Sequence, residues 1–219
     1  MHIHIPDGIL PVWFWVSGYA ISLFFLFLSL KKMRMEEIWK ISVTSAIMLL
    51  AMSIPLGLPT HMNLMVFSSF LLGPEMSVIP AFIVNLILAF FGHGGLTIVG
   101  WNTILLWFEA LAGYGIFKWL KKHFKNYLMI AGVSTFLALL SSTIFFYFLI
   151  LLSSVEPSLF LEEKVIEGLR LEKLEIDIFT FFILTFPIAM LGACVESLVT
   201  AFLFEHLRRR KRRIFRVMR

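Results

Sequence analysis

Met1-His2-Ile3-His4 sets an imidazole beside a terminal amine. The amine, the amide nitrogen of residue 2 and the His2 imidazole can close two adjacent chelate rings. They would fill three corners of a square around one metal ion and leave the fourth open. Were His4 the chelating ring, the amine and the intervening amides would fill the square first. His2 is therefore the favoured chelator and His4 the alternative ligand. His61, in Leu58-Pro59-Thr60-His61-Met62-Asn63, is the candidate for the fourth nitrogen. Such a tetragonal nitrogen set suits Ni²⁺ or Cu²⁺, and Co²⁺ less obviously, whereas hard Mg²⁺ and Ca²⁺ favour oxygen donors. With a single cysteine in 219 residues, an internal disulfide framework and thiolate-rich zinc or iron–sulfur sites are excluded.

Other residues carry a functional and a plain reading side by side. His93 lies in a Gly-rich turn, where a loop histidine hydrogen-bonding another ligand is favoured over direct ligation. Asn102 and Thr103 are in range of a folded-back terminus, or bond helix to helix within the bundle. Glu109 and Glu196 fall inside apolar segments, where a carboxylate is expensive and therefore a functional candidate. Counted from the outer ends both lie past the middle, too deep for an external metal site. They are read as interhelical hydrogen-bonding or partner-docking groups, with Thr200 on the face of Glu196 at i, i+4. Met62 and Met65 could serve Cu(I), but packing is the favoured reading among 11 methionines. Cys194 reads as packing, and His123 and His206 as solvated. Gly18 and Ser22 form a small-xxx-small pair suited to close helix contact, a hint of where a coupling subunit docks.

The elements that position these residues are membrane helices. The chain is 59% hydrophobic and 15% charged, with mean hydropathy +0.90, against roughly 45–50% and about 25% in soluble domains. Apolar runs at 10–30, 39–55, 62–73, 76–91, 98–117, 126–153 and 178–205 predict an all-α polytopic bundle of about seven transmembrane segments in one domain, 1–219. The third run is too short to span about 30 Å of hydrocarbon and is expected to be a broken or half helix. Basic residues after the first and fifth runs and in the tail, 206–219, belong inside. The loop 154–177, with seven acids against three bases from Glu156 to Asp177, belongs outside. Seven crossings with the N-terminus out and the C-terminus in satisfy all of these. The basic tail serves topology, anionic lipid or partner subunits rather than nucleic acid. The first segment has no positive residue before it and exceeds a signal-peptide h-region, so it is expected to be retained. The N-terminal metal-binding segment, 1–9, could reach up to about 30 Å, and Pro6-Asp7-Gly8 supplies the bend that a folded-back terminus needs.

The start Met1-His2 with His4-Ile5-Pro6-Asp7-Gly8, the Pro59-Thr60-His61 segment, Phe91-Gly92-His93-Gly94-Gly95-Leu96-Thr97 followed by Gly100-Trp101-Asn102-Thr103, and Glu196-Ser197-Leu198-Val199-Thr200 together resemble the CbiM/NikM family. These are the cobalt- and nickel-binding S components of energy-coupling factor (ECF) ABC transporters. The similarity covers essentially the whole chain. It implies a cell-membrane subunit that captures Ni²⁺ or Co²⁺ as transported substrate, through the terminal amine, the amide and imidazole of the histidine at position 2, and a histidine at the place of His61. It also implies a transmembrane coupling subunit (T component) and two cytoplasmic ATPases, and allows for a small accessory membrane subunit. The chain has no Gly-x-x-x-x-Gly-Lys-Ser/Thr run, which fits that division of labour. Family members usually start Met-His-Ile-Pro-Asp-Gly, whereas two residues are added here. Alignment to Pro-Asp-Gly thus points to His4 and distance from the amine to His2. The rival class is an intramembrane metalloenzyme in which His61, His93 and a carboxylate hold zinc with one position left for water. No His-Glu-x-x-His pair supports it, and transport is the preferred reading.

Overall fold

Apolar runs broken by Gly, Pro and charge become helices, which satisfy every backbone group internally, as hydrocarbon surroundings demand. The computed structural model describes residues 7–53, 61–157 and 177–217, with side chains to residue 210. Among these, seven α-helices and no strand occur: α1 Val12–Lys32, α2 Met35–Ser53, α3 Met65–Leu72, α4 Val78–Phe90, α5 Val99–His123, α6 Tyr127–Ser153 and α7 Ile178–Val217. A 3₁₀ turn, Leu96–Ile98, leads into α5. Met1, His2 and His4, most of the acidic loop and the side chains of the tail beyond 210 lie outside the described residues.

Each expected segment is present as a helix, but the helices are unequal. By length and composition four can cross a membrane: α1, α5 with its 3₁₀ lead, α6, and α7 as far as Arg210. The eight residues of α3 reach only about 12 Å, as expected of the short third run. Gly73 and Pro74 break it from α4, whose 13 apolar residues extend about 20 Å. α2 carries Glu36, Glu37 and Lys40, which lower its hydropathy.

α5 is the central helix, packed by α1, α3, α4 and α6, while α6 and α7 run along one another. At the α1–α5 crossing the backbones nearly touch. A Cβ on Gly100 would sit 2.5 Å from the carbonyl carbon of Gly18, and one on Gly18 would sit 2.5 Å from Trp101. Trp101 stacks on Phe14 at 5.2 Å and donates its indole N–H to the Phe14 carbonyl at 2.6 Å. Gly18 and Ser22, expected to mark a docking face for another subunit, are therefore buried inside this chain. The small-residue pair does make a close helix contact, but within the bundle.

The surface is largely apolar, and the interior combines apolar core clusters with buried polar side chains. Phe24, Phe27, Leu50, Phe90, Phe148 and Phe202 are exposed, whereas Asn63, Asn85, Asn102, Glu109, Ser142 and Glu196 are buried. Many interior hydroxyls return to their own helix, as Thr103 to Val99 and Thr143 to Leu139, each at 2.8 Å. The exposed apolar side chains suit a lipid-facing surface, and buried polar groups within a membrane bundle are candidates for function.

Candidate metal site

Two short non-helical stretches each carry a histidine, and each runs into a helix start held by a carboxylate from elsewhere in the chain. The first contains His61. Leu64 adopts the left-handed conformation (φ 53°) before α3, and the Asn63 side-chain oxygen accepts the Met65 N–H at 2.7 Å. The N–H groups of Asn63 and Leu64 have no partner inside α3. Glu196, reaching over from α7, accepts both, at 3.1 and 2.8 Å. A carboxylate at a helix N-terminus is favoured by the helix dipole and by the orphan donors there.

The second stretch is the turn after α4. The His93 N–H bonds the Leu88 carbonyl at 2.9 Å, closing the helix end. The chain then meets Asp7. Its carboxylate accepts the N–H groups of Leu96 and Thr97, at 3.0 and 2.8 Å, and the Thr97 hydroxyl at 2.8 Å. The fit leaves no room for a side chain at 95, where a Cβ would lie 2.5 Å from the Asp7 carboxylate. The Thr97 N–H, with help from the Thr97 hydroxyl and the Leu96 N–H, holds the Asp7 carboxyl below its usual range against the opposing effect of burial. Gly8 lies at φ 92°, a conformation that favours glycine, and the terminus before it lies outside the described residues.

These two stretches bring the imidazoles together. His93 Nε2 lies 3.4 Å from His61 Nε2, with ring centroids 4.9 Å apart and planes inclined at 63°. Below His61 a cavity of about 30 Å³ is walled by His61, Thr143, Gly192 and Glu196 among others. That is room for two or three waters, at about 10–15 Å³ each. On its other side His93 borders an open groove of about 270 Å³ with Leu49, Ser53, Leu88 and Phe91. The Glu109 carboxyl, wholly buried, lies beside the side chains of Asn63 and Ser142 and close enough to Glu196 for their charges to interact.

Glu196 thus meets the His61 stretch, a contact that counting along α7 did not foresee. It shares a cavity wall with His61, because α3 begins deep in the bundle opposite Glu196 and carries His61 inward with it. Partner docking does not fit Glu109, Glu196 or Thr200, since all three are buried. The interior reading remains. Asn102 and Thr103 are buried at the start of α5. Met65 belongs to the core beside Met48 and Met52, in keeping with its packing role, and His123 and His206 are exposed. Among the described residues no three His, Cys, Asp or Glu side chains form a metal-holding group. Sequence reasoning gave no role to Asp7 or Asn63. The acid inside Pro-Asp-Gly, next to a Gly-Gly-Leu-Thr turn rich in unpaired N–H groups, was the available signal for the first.

A lipid-facing helical bundle whose polar groups converge beneath two apposed imidazoles defines a membrane protein that handles a small polar solute. The sequence matches the model of the cobalt uptake substrate-specific transmembrane region, CbiM, over residues 4–214, and the protein belongs to that family. Its fold is shared with a crystal structure described as a truncated transition metal transporter, at 19% identity and TM-score 0.77, covering 95% of this chain and 99% of that one. A second, described as a transition metal transporter, shares 19% identity and gives TM-score 0.74 over 94% of this chain and 93% of the other. No curated protein matches the sequence. The protein is a membrane-embedded component of transition-metal uptake and not an enzyme, so the metalloenzyme built on His61 and His93 is set aside.

Proposed function

We propose that this protein is the substrate-binding subunit of an ECF-type importer of the cell membrane, capturing Ni²⁺ or Co²⁺ from outside. The ligands are the terminal amine of Met1, the amide nitrogen and imidazole of His2, and the imidazole of His61, with His4 the alternative to His2. The observation that carries this reading is the apposed His61–His93 pair, 3.4 Å apart, on carboxylate-held loops at one end of a polar interior. Nitrogen donors of this kind suit late first-row divalent ions. A coupling subunit and two ATPases supply the energy, with a small accessory membrane subunit compatible with the assembly.

The same distance favours a second ligand set. Two nitrogens each about 2.0–2.1 Å from one tetrahedral ion stand roughly 3.3–3.4 Å apart, so His93 can ligate alongside His61 rather than merely orient it. X-ray absorption on the metal-loaded protein separates the two sets, since His93→Gln removes one imidazole from the shell only if His93 is a ligand. It also identifies the element bound. The reading as a whole is tested by metal binding to protein carrying an N-terminal extension. Binding should be lost when the amine is blocked, and unchanged affinity would remove the amine from the site. Mass spectrometry of the intact N-terminus decides between His2 and His4, because a mature chain starting at Ile3 would put His4 in the chelating position.

A further inference from the structure

At the other end of the bundle, where the basic residues collect, a separate recess of about 570 Å³ opens between the first turn of α6 and the last turns of α7. Its size falls within the roughly 300–1,000 Å³ of small-ligand sites. Leu128, Phe202 and Leu203 form the apolar wall, and Glu205, His206 and Arg209 the polar rim. Phe202 and Leu203 are exposed, as are His206 and Arg209, so the groove changes from apolar to cationic along one face of α7. The change falls where the apolar sequence of α7 gives way to Arg208-Arg209-Arg210.

The rim is organised by one acid. Buried Glu205 accepts Arg208 through Nε and Nη2, at 2.7 and 2.8 Å, and Arg209 through Nε at 2.8 Å. The Arg208 guanidinium also lies 4.5 Å from the Tyr127 ring centroid, and Lys121 approaches the same ring at 5.8 Å. Arg209 is pinned at Nε while 74% of its side chain remains exposed. Between residues 118 and 128 and between 202 and 210 the chain has seven Lys and Arg against Glu205 alone, leaving a large local excess of positive charge.

We propose that this groove binds one anionic phospholipid, its acyl chain along Phe202, Leu203 and Leu128 and its phosphate at Arg209 and His206. A free anion would gain nothing from the apolar wall, and a neutral lipid would add no negative charge where Glu205 alone faces two guanidinium groups. A planar guanidinium held by a neighbouring carboxylate is pre-organised for a phosphate oxygen. Basic pockets between membrane helices recruit anionic head groups by the same chemistry. The inference does not depend on the identity of the transported metal.

The test is native mass spectrometry of the full-length protein taken from phosphatidylcholine vesicles with and without phosphatidylglycerol. Phosphatidylglycerol should be retained preferentially, and Arg209→Gln should weaken that preference about fivefold, from roughly 1 kcal/mol per base near the surface. Glu205→Gln separates a built site from diffuse attraction: it raises the net positive charge yet should lower retention, because both arginines lose their anchor. Phe202→Ser should reduce retention without changing charge, and bound metal in each variant reports an intact fold. Equal retention of the two lipids, no effect of Arg209→Gln, or increased retention in Glu205→Gln would each overturn the proposal. So would displacement of the lipid by glycerol phosphate alone, or its absence from the protein purified with its partner subunits, which would give the groove to a protein.

Discussion

Asp7 and Glu196 do the same job for two different imidazoles. Replacing Asp7 by Asn keeps the shape but weakens acceptance of the Leu96 and Thr97 donors, and loss of a cap of this kind costs about 0.5–2 kcal/mol. Its folded pKa lies below the ordinary 3.8, so its contribution is fully present above that value and is lost as pH falls through the lowered folded one. Melting curves of wild type and Asp7→Asn should therefore differ at neutral pH, begin to converge as pH falls below about 3.8, and meet only below the lowered folded value. Glu196→Gln removes one of two acceptors from buried N–H groups, a loss of about 1–3 kcal/mol. Outer partners of metal ligands are typically worth about 10–100-fold in affinity, and calorimetric titration with Ni²⁺ should show a drop in that range. An unchanged affinity would mean that the His61 loop holds its shape without Glu196. At this scale the sequence named His61 and placed His93 on an outer turn. It read His93 as bonding another ligand and paired it with His61 in the rival zinc set, but nothing local reveals how the loop before α3 and the turn after α4 converge. Glu196 was visible as an expensive carboxylate, yet its role depended on knowing that α3 starts deep in the bundle.

The α1–α5 crossing makes the next prediction. Gly100→Ala forces a methyl into the backbone of α1, and overpacking of this sort costs about 1–3 kcal/mol. Thermal unfolding in detergent should shift downward accordingly, while Gly115→Ala in the same helix, with open space around it, should not. Helix positions were largely readable from the sequence, since apolar runs and Gly-Pro breaks leave little choice in a bilayer. The Asn126 cap of α6, accepting the Met129 N–H at 3.2 Å, shows how local the stop and start signals are. Pairing was less readable. Gly18 and Ser22 announce a close contact but not its partner, which depends on Gly100 lying 82 residues later (100 − 18) at the matching height.

For the whole molecule, the basic and acidic loops predict opposite sides of the membrane. In a variant with Cys194 replaced, a cysteine placed at 123 should react with an impermeant reagent only in inside-out vesicles, and one at 165 only in right-side-out ones. Labelling of both from the same side would reverse or break the proposed topology. The family and the shared fold agree with the function class read from the sequence, a membrane-embedded metal carrier, because composition and the combined motifs carry that information without any side-chain contact being known.

The 30 Å³ chamber between His61 and Glu196 has a bearing on selectivity that ligand type alone does not. A divalent ion with about six waters is larger than the two or three waters that this space would hold, at about 10–15 Å³ each, so an ion entering it would have to shed part of its shell. Ions that dehydrate reluctantly, Mg²⁺ above all, are then expected to enter it least readily. A large excess of Mg²⁺ should leave Ni²⁺ capture unaltered, and measurable competition would mean that the chamber opens wider than its resting walls allow.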